Sequence, residues 1–348
     1  MKRLLLKIIV LCLALLIVLP ASADNPDKDP KDLVVVANRA SGTISVIDAH
    51  SDALIDNYDL PAGENTPEPM YVTYAKQGGH VFVGDRANNR VIVFDKTDFS
   101  VVTTIAAGNG VFHMWSDPHG QQLWVNNDMD KTATVIDPVT LNVITTVPMP
   151  ADLVAEGFIP HDVILDPKGN FAYVTMLGGE SENDYLIQFS TETFAELNRA
   201  TVGKDPHVSL TQRNNLIYVP AQNSDIVTVL NRDNLEFVTE IMVPGAHGAG
   251  MTPNGKVFYT TNLPGGGTDG IFAIDTNTNT IIGAADTPFA VPHNIVVAKN
   301  DKLFLTHSGG SSDKVTIYAA STNEPIPVLI GEVTVGINPF GLAYIPNG

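Results

Sequence analysis

Apolar and polar residues alternate along this chain in short runs, and the runs follow an order that repeats. GFIPHDVILDPKGNFAYVTM at 157–176 sets Pro-His before an alternating run, then a polar turn, then a second run rich in aromatics. VPHNIVVAKNDKLFLTHS at 291–308 does the same. The skeleton starts seven times, at PEPMYVTY (67), GVFHMWSD (110), IPHDVILD (159), DPHVSL (205), GAHGAGM (245), VPHNIVV (291) and NPFGLAYI (338). Its anchor residues are Met70, His113, His161, His207, His247, His293 and Phe340, spaced 40 to 48 residues apart. Most units add a third and a fourth run, as in RVIVFD (90–95) with SVVTTIAAG (100–108), joined by turns such as DPVTLN or DTNTNT. Period-two alternation in runs of this length predicts half-buried strands. Four strands in a unit of forty-odd residues predict a β-propeller blade.

The ends of the repeat fix the number of blades. The seventh unit stops after its innermost strand, at LAYIPNG, and three strands without an inner partner stand at the front: LVVVAN (33–38), TISVID (43–48) and ALIDNYDL (53–60). Joining them closes the ring and leaves no inner edge bare. The expected fold is therefore all-β, a seven-bladed propeller over 33–348 closed by N-terminal strands that complete the last blade. Residues 24–32 read as a flexible polar segment. Before it, Lys2, Arg3 and Lys7 precede a short apolar run that ends in Pro20 and ASA at 21–23, the pattern of a secretory signal peptide over 1–23. The expected location is periplasmic or secreted.

Charge and cysteine usage narrow the chemistry. The single cysteine, Cys12, lies within the signal, so the mature chain has neither disulfide nor thiolate ligand. Removing 1–23 takes three of the 20 basic residues and leaves 17 against 38 acidic ones, a net charge of −21. Such a surface repels phosphate backbones, which excludes nucleic acid as the expected partner. No later apolar run reaches membrane-spanning length.

FAYVTM, LIYVPA and LWVNN, with VID following, resemble the YVTN-repeat family of secreted seven-bladed propellers, and the match extends over the mature chain. That resemblance implies the fold but not one activity. Similar propellers form the catalytic domains of nitrous oxide reductases and haem-containing nitrite reductases; others are lactonases, lyases or binding scaffolds.

In a propeller, strand a lines the channel, so the start of strand a and the end of strand b lie on one face. His113, His161, His207, His247 and His293 stand at the start of strand a in five consecutive blades, and His307 ends strand b of the sixth. His80, His119 and His50 fall in turns of the opposite face. A repeated structural cap is one reading of the series. The other is a ring of neutral imidazoles around a transition metal, with the Met70 thioether completing the set, because without cysteine the available borderline ligand is the His nitrogen. Copper is favoured and zinc is the second choice. Asp162 and Asp205 flank two of the histidines and suit a supporting role on ring N–H groups. Nitrous oxide reductases are similar in building a copper cluster from channel histidines. Here Phe340 and Met70 interrupt the ring and no cysteine-containing domain follows, so reduction of nitrous oxide by this chain alone is not expected.

Arg39 and Arg86 follow strands b of neighbouring blades and offer a site for a small anionic ligand, against the alternative of ordinary ion pairs with Asp85 and Glu64 or Glu68. Three functions follow: a metal-dependent oxidoreductase or metal-handling protein, a scaffold that binds a protein, peptide or glycan on its top face, or a lyase or hydrolase using one mouth histidine. No nucleophile elbow and no HExxH sequence is present.

Overall fold

The fold is given by a computed structural model that describes residues 31–347 apart from 211, 212 and 264. The expected signal peptide over 1–23 and residues 24–30 of the segment read as flexible over 24–32 lie outside the described residues. Seven four-stranded antiparallel sheets form seven blades. Their innermost strands are Pro69–Ala75, Val111–Ser116, Phe158–Leu165, Ser209–Leu210, Ala246–Met251, Pro292–Val297 and Pro339–Ile345, for blades 1 to 7 in that order. Blade 7 is composite. Its strand a, Pro339–Ile345, pairs with Leu33–Asn38 in the register Leu33↔Ile345, Val34↔Tyr344, Val35↔Ala343, and Thr43–Asp48 and Leu54–Asp59 complete the sheet. No described helix is long and apolar enough to cross a membrane.

The burial of each strand follows its place in the blade. Strands b and c have neighbours on both faces, so they read as continuous apolar runs: VFVGD, LWVNN and IVTVLN are buried almost throughout. The outermost strands VVTTIA, VITTVP and FVTEIM leave most of their side chains half-buried or exposed. The apolar cores lie between blades. Val35, Ala37, Ile44 and Val46 of blade 7 pack with Val72, Val83, Ile92 and Phe94 of blade 1. Val34, Val36 and Ile47 pack with Phe304, Val315 and Ile317 of blade 6. The N-terminal strands thus bond the ring shut on both sides by burial as well as by hydrogen bonds.

A second fastening runs along the rim. Tyr173, Tyr218 and Tyr259 occupy the same position of strand b in blades 3, 4 and 5, and all are fully buried. Each hydroxyl reaches the c–d turn of the next blade: Tyr173 donates to the Arg232 carbonyl at 2.8 Å, Tyr218 to Asn279 Oδ1 at 2.7 Å and Tyr259 to the Pro325 carbonyl at 2.9 Å. Blade 2 carries Trp124 there, whose indole N–H donates to Gln122, and Gln122 donates to the Thr191 carbonyl of blade 3. The aromatic of the YVTN-like motif is therefore an interblade strap. Tyr259→Phe should lower stability by about 1 kcal/mol and the triple Tyr173, Tyr218, Tyr259→Phe variant by roughly three times that, read from urea unfolding; an unchanged midpoint for the triple variant would refute the strap.

Candidate functional site

In every blade the ladder between strands a and b skips two residues. The register breaks between Pro69 and Val72, Val111 and Met114, Pro160 and Val163, Ala246 and Ala249, and Pro292 and Ile295. Blade 4 reduces to a Pro206↔Ala221 bridge followed by Ser209–Leu210, and blade 7 skips Phe340 and Gly341. Such irregularities re-aim side chains. The threonine of the repeat satisfies the freed backbone. Asp162 and Gly248 donate their N–H groups to Thr175 and Thr261 Oγ1, both at 2.8 Å, and Asn294 donates to Thr306 Oγ1 at 3.1 Å. Thr306 in turn donates to the Phe340 carbonyl of the next blade at 2.8 Å, and Asn126 of blade 2 donates to the His161 carbonyl at 3.1 Å. Gly248 has to be glycine, because a Cβ there would run into the His293 carbonyl.

The two skipped residues build the site. The first of the pair is Met70, Phe112, His161, His207, His247, His293 and Phe340 in blades 1 to 7, and the second is Tyr71, His113, Asp162, Val208, Gly248, Asn294 and Gly341. His113 therefore stands one place later than the other four histidines, and Phe112 takes the place the spacing assigns to it. Six rings close a circle across the axis. Centroid separations are 5.1 Å for Phe112–His161, 4.7 Å for His161–His207, 3.8 Å for His207–His247, 4.7 Å for His247–His293, 4.2 Å for His293–Phe340 and 6.3 Å for Phe340–Phe112. Tyr71 fills the widest gap, 5.6 Å from Phe112 and 5.5 Å from Phe340.

His113 lies against this ring, 3.6 Å from Tyr71 and 5.0 and 5.2 Å from His161 and His207. Asp162 organises it. His113 Nδ1 lies 2.8 Å from Asp162 Oδ1, and His207 Nδ1 lies 3.5 Å from Asp162 Oδ2. The same carboxylate accepts the backbone N–H groups of Val163 and Val208 at 2.7 and 3.0 Å. Donation from Nδ1 fixes the tautomer that leaves Nε2 as a bare lone pair. His113 Nε2 is buried without a hydrogen-bond partner, and His207 Nε2 faces His161 Nε2 at 3.2 Å. Nitrogens of His113, His161 and His207 all lie within 4.8 Å of one another. His247, between His207 and His293, has neither ring nitrogen bonded.

Burial disfavours the charged form of His113, His161 and His247. It pushes His161 and His247 well below the ordinary imidazole value, with His207 adding repulsion in both cases, and it lowers His113 against the opposing pull of Asp162. Burial alone would raise the Asp162 carboxyl, yet the His113 and His207 rings hold it well below the usual carboxylate range. The floor thus carries one buried negative charge with no Lys or Arg against it among the described contacts. Buried charge is costly unless a counter-charge is near. The orphaned Nε2 of His113, the facing Nε2 atoms of His161 and His207 and a buried carboxylate with no cationic side chain against it together fit a bound cation.

The remaining predicted residues lie elsewhere. His307 is fully buried at the end of strand b, with Nδ1 3.2 Å from the Ala290 carbonyl and Nε2 2.9 Å from Thr316 Oγ1. It does for blade 6 what Asn38 does with Ser45 and Asn127 with Thr134, tying strand b to strand c. Met70 shares the ring position but packs into the apolar cluster with Phe82, Val91 and Val93. Arg39 is paired with Glu68 at 2.7 Å, and Arg86 forms a fork on Asp128 at 2.8 and 3.1 Å rather than on Asp85, which Arg90 takes. The two guanidiniums sit over the phenyls of the ring, Arg39 5.4 Å from Phe340 and Arg86 5.3 Å from Phe112. Each is already neutralised by its own carboxylate. Sequence reasoning missed Tyr71 and Phe112, although both are aromatics flanking an anchor.

The ring plugs the channel, and the open space lies below it. A cavity of about 410 Å³ has His113, Asp162, His207, Tyr71 and Asn294 at one end and extends along strands a to Pro118, Pro167, Pro253 and Gly255 in the a–b turns. It runs towards the face opposite to the one on which the histidines begin their strands.

The neutral imidazoles make stability depend on pH. Burial pushes His293 down to about 3 and His307 to about 4. An unfolded chain protonates both near 6.5, so their contribution is complete above that value and is lost as pH falls towards 3 to 4. The slope is about 1.4 kcal/mol per pH unit for each group. Urea unfolding at pH 7 and at pH 5 should therefore differ by at least ~2 kcal/mol, with a smaller difference in His293→Asn; equal stability at the two pH values would contradict burial of neutral rings.

A family model described as a lactonase, seven-bladed β-propeller, matches residues 27–240. No curated protein matches the chain in sequence. Among solved structures, a protein from Lactobacillus plantarum superposes with a TM-score of 0.71 at 15% identity, covering 90% of this chain and 100% of that one. The hydrazine synthase of Kuenenia stuttgartiensis gives 0.65 at 12%, covering 84% and 93%, and the dihydro-haem d1 dehydrogenase NirN in complex with DHE gives 0.63 at 14%, covering 90% and 75%. At these identities the likeness is one of fold. With more than half of its length matched by the family model and seven blades closed in a ring, the chain belongs to the lactonase family of seven-bladed β-propellers.

Proposed function

We propose that this is an exported, metal-dependent enzyme whose ion is held by His113, His161 and His207, with Asp162 orienting two of the three ligands. One observation supports the reading: a single buried carboxylate engages Nδ1 of both His113 and His207, which leaves Nε2 of each as a lone pair, and nitrogens of these two rings and of His161 lie within 4.8 Å of one another. A carboxylate behind a ligating histidine is the usual supporting arrangement of metal sites. An all-nitrogen set suits copper first and zinc second. A bound ion would polarise a substrate oxygen or lower the pKa of a water. The chain's own residues supply a dry, neutral enclosure and one fixed negative charge. That two of the fold neighbours are named as a synthase and a dehydrogenase is compatible with an enzymatic role.

The test is elemental analysis of the mature protein recovered from the periplasm or medium, followed by titration with Cu(II) and Zn(II). About one equivalent is expected. The His161→Ala, His207→Ala double variant should lose the metal while keeping its β circular dichroism, and Asp162→Asn should weaken binding roughly 10- to 100-fold. Metal-free wild type that takes up neither ion would sink the proposal.

The His113–Asp162 contact at 2.8 Å favours one alternative. In that reading Asp162 holds the tautomer and His113 Nε2 serves as a general base for hydrolysis or elimination. Turnover that survives chelation but disappears in His113→Ala would select it.

A further inference from the structure

The approach to the imidazole floor is one-sided. On the upper side six rings with centroids 3.8 to 6.3 Å apart close the axis, and Arg39 and Arg86 cover the two phenyls. Phe112, His161, His247, His293 and Phe340 are absent from the lining of the cavity below, which therefore does not extend through the ring. On the lower side lies the 410 Å³ cavity, within the size range of small-molecule sites. Its wall is more apolar than polar, with Met114, Ile164, Met251 and Ile295 set beside Thr73, Ser209 and Asn294. The wall hydroxyls of Ser116 and Thr252 are already engaged with main-chain carbonyls, at 3.4 and 3.3 Å. No Lys or Arg is found among its described lining residues, and its one carboxylate is Asp162 at the floor. Trp115 lines the cavity yet is 43% exposed, which places it at the opening on the a–b turn face.

We propose that the substrate is an uncharged molecule with an apolar body and one carbonyl or hydroxyl oxygen, and that it enters from the a–b turn face past Trp115. The apolar wall takes the body, and the oxygen meets His113 and His207 at the floor. With no ion bound, an anion would face Asp162 with no Lys or Arg among the described lining residues to receive it. A cation would lose its hydration against an apolar wall. The assignment deepens the proposed function and rests on that site being the reactive one, but the cavity can be tested on its own.

Methyl benzoate, benzoate and benzyltrimethylammonium make a matched set of neutral, anionic and cationic probes. Calorimetric titration of chelator-treated protein should give at least tenfold tighter binding for methyl benzoate than for either ion. Trp115→Asp, at an exposed position, should weaken methyl benzoate binding at least fivefold with the circular dichroism spectrum unchanged; Trp115→Lys should do the same and replaces it if the first variant does not fold. Equal or tighter binding of either ion, or an unchanged affinity in the folded variant, overturns the proposal. Elemental analysis of the same samples keeps the two readings apart. Ester binding by protein that takes up no metal upholds the cavity and defeats the metal centre, and metal uptake without ester discrimination does the reverse.

Discussion

Everything at the axis depends on how strand a is held where it leaves the ladder. Two residues per blade give up their pairing with strand b, and the backbone groups released would be costly if left unsatisfied in a buried place. Thr175, Thr261 and Thr306 absorb that cost by accepting from the displaced N–H, and Thr306 and Asn126 also donate to the neighbouring blade's carbonyl. The hydroxyl thus acts both within a blade and between blades. It lets side chains of consecutive blades turn inward at one level, so the chemistry of the axis is set by which residues occupy two positions.

What occupies them is graded around the ring. The blade 7, blade 1 and blade 2 side is aromatic and apolar, with Phe340, Tyr71 and Phe112. The opposite arc, from His161 to His293, is all imidazole. His113 and Asp162 lie at the junction, and Asp162 turns the arc from a row of rings into an ordered group by fixing which nitrogens carry protons. The burial that keeps the rings neutral also keeps their lone pairs available, since a protonated imidazole cannot ligate. Under the proposed metal reading, desolvation and metal affinity would act in the same direction, and Asp162 would limit the electrostatic cost of bringing a cation into a dry place.

The fold was legible because the repeat is. Seven anchors and three leading strands without an inner partner give the blade number and the closure, and both are found in the structure. The site was legible only in part. Five histidines were assigned to the axis and do meet there, but spacing alone does not distinguish Phe112 from His113 as the anchor of blade 2, because the skipped pair contains both. His307 was grouped with the channel histidines on its position at the end of strand b. That same position holds Asn38 and Asn127 in other blades, residues whose amides bond to strand c, and comparing the seven strand ends would have exposed its structural role. Arg86 found Asp128 in the next blade, a pairing that depends on the angle between blades and leaves no trace in local sequence. The direction in which the cavity opens was equally hidden, because it follows from side-chain packing around the ring.

The composite blade has a consequence for how the molecule comes into being. Strand a of blade 7 ends at Ile345, and its partner begins at Leu33, with Tyr344 and Asn347 also bonding to Asp32. During synthesis Leu33–Asn38 waits for Pro339–Ile345, so a product that stops before residue 339 cannot seal itself. Until residues 339–345 emerge, the inner edge of Leu33–Asn38 is bare to any other chain nearby, and the pairing that hides it links residue 33 to residue 345. Such long-range closure is intrinsically slow, which makes the newborn chain, rather than the finished ring, the form most exposed to aggregation and proteolysis.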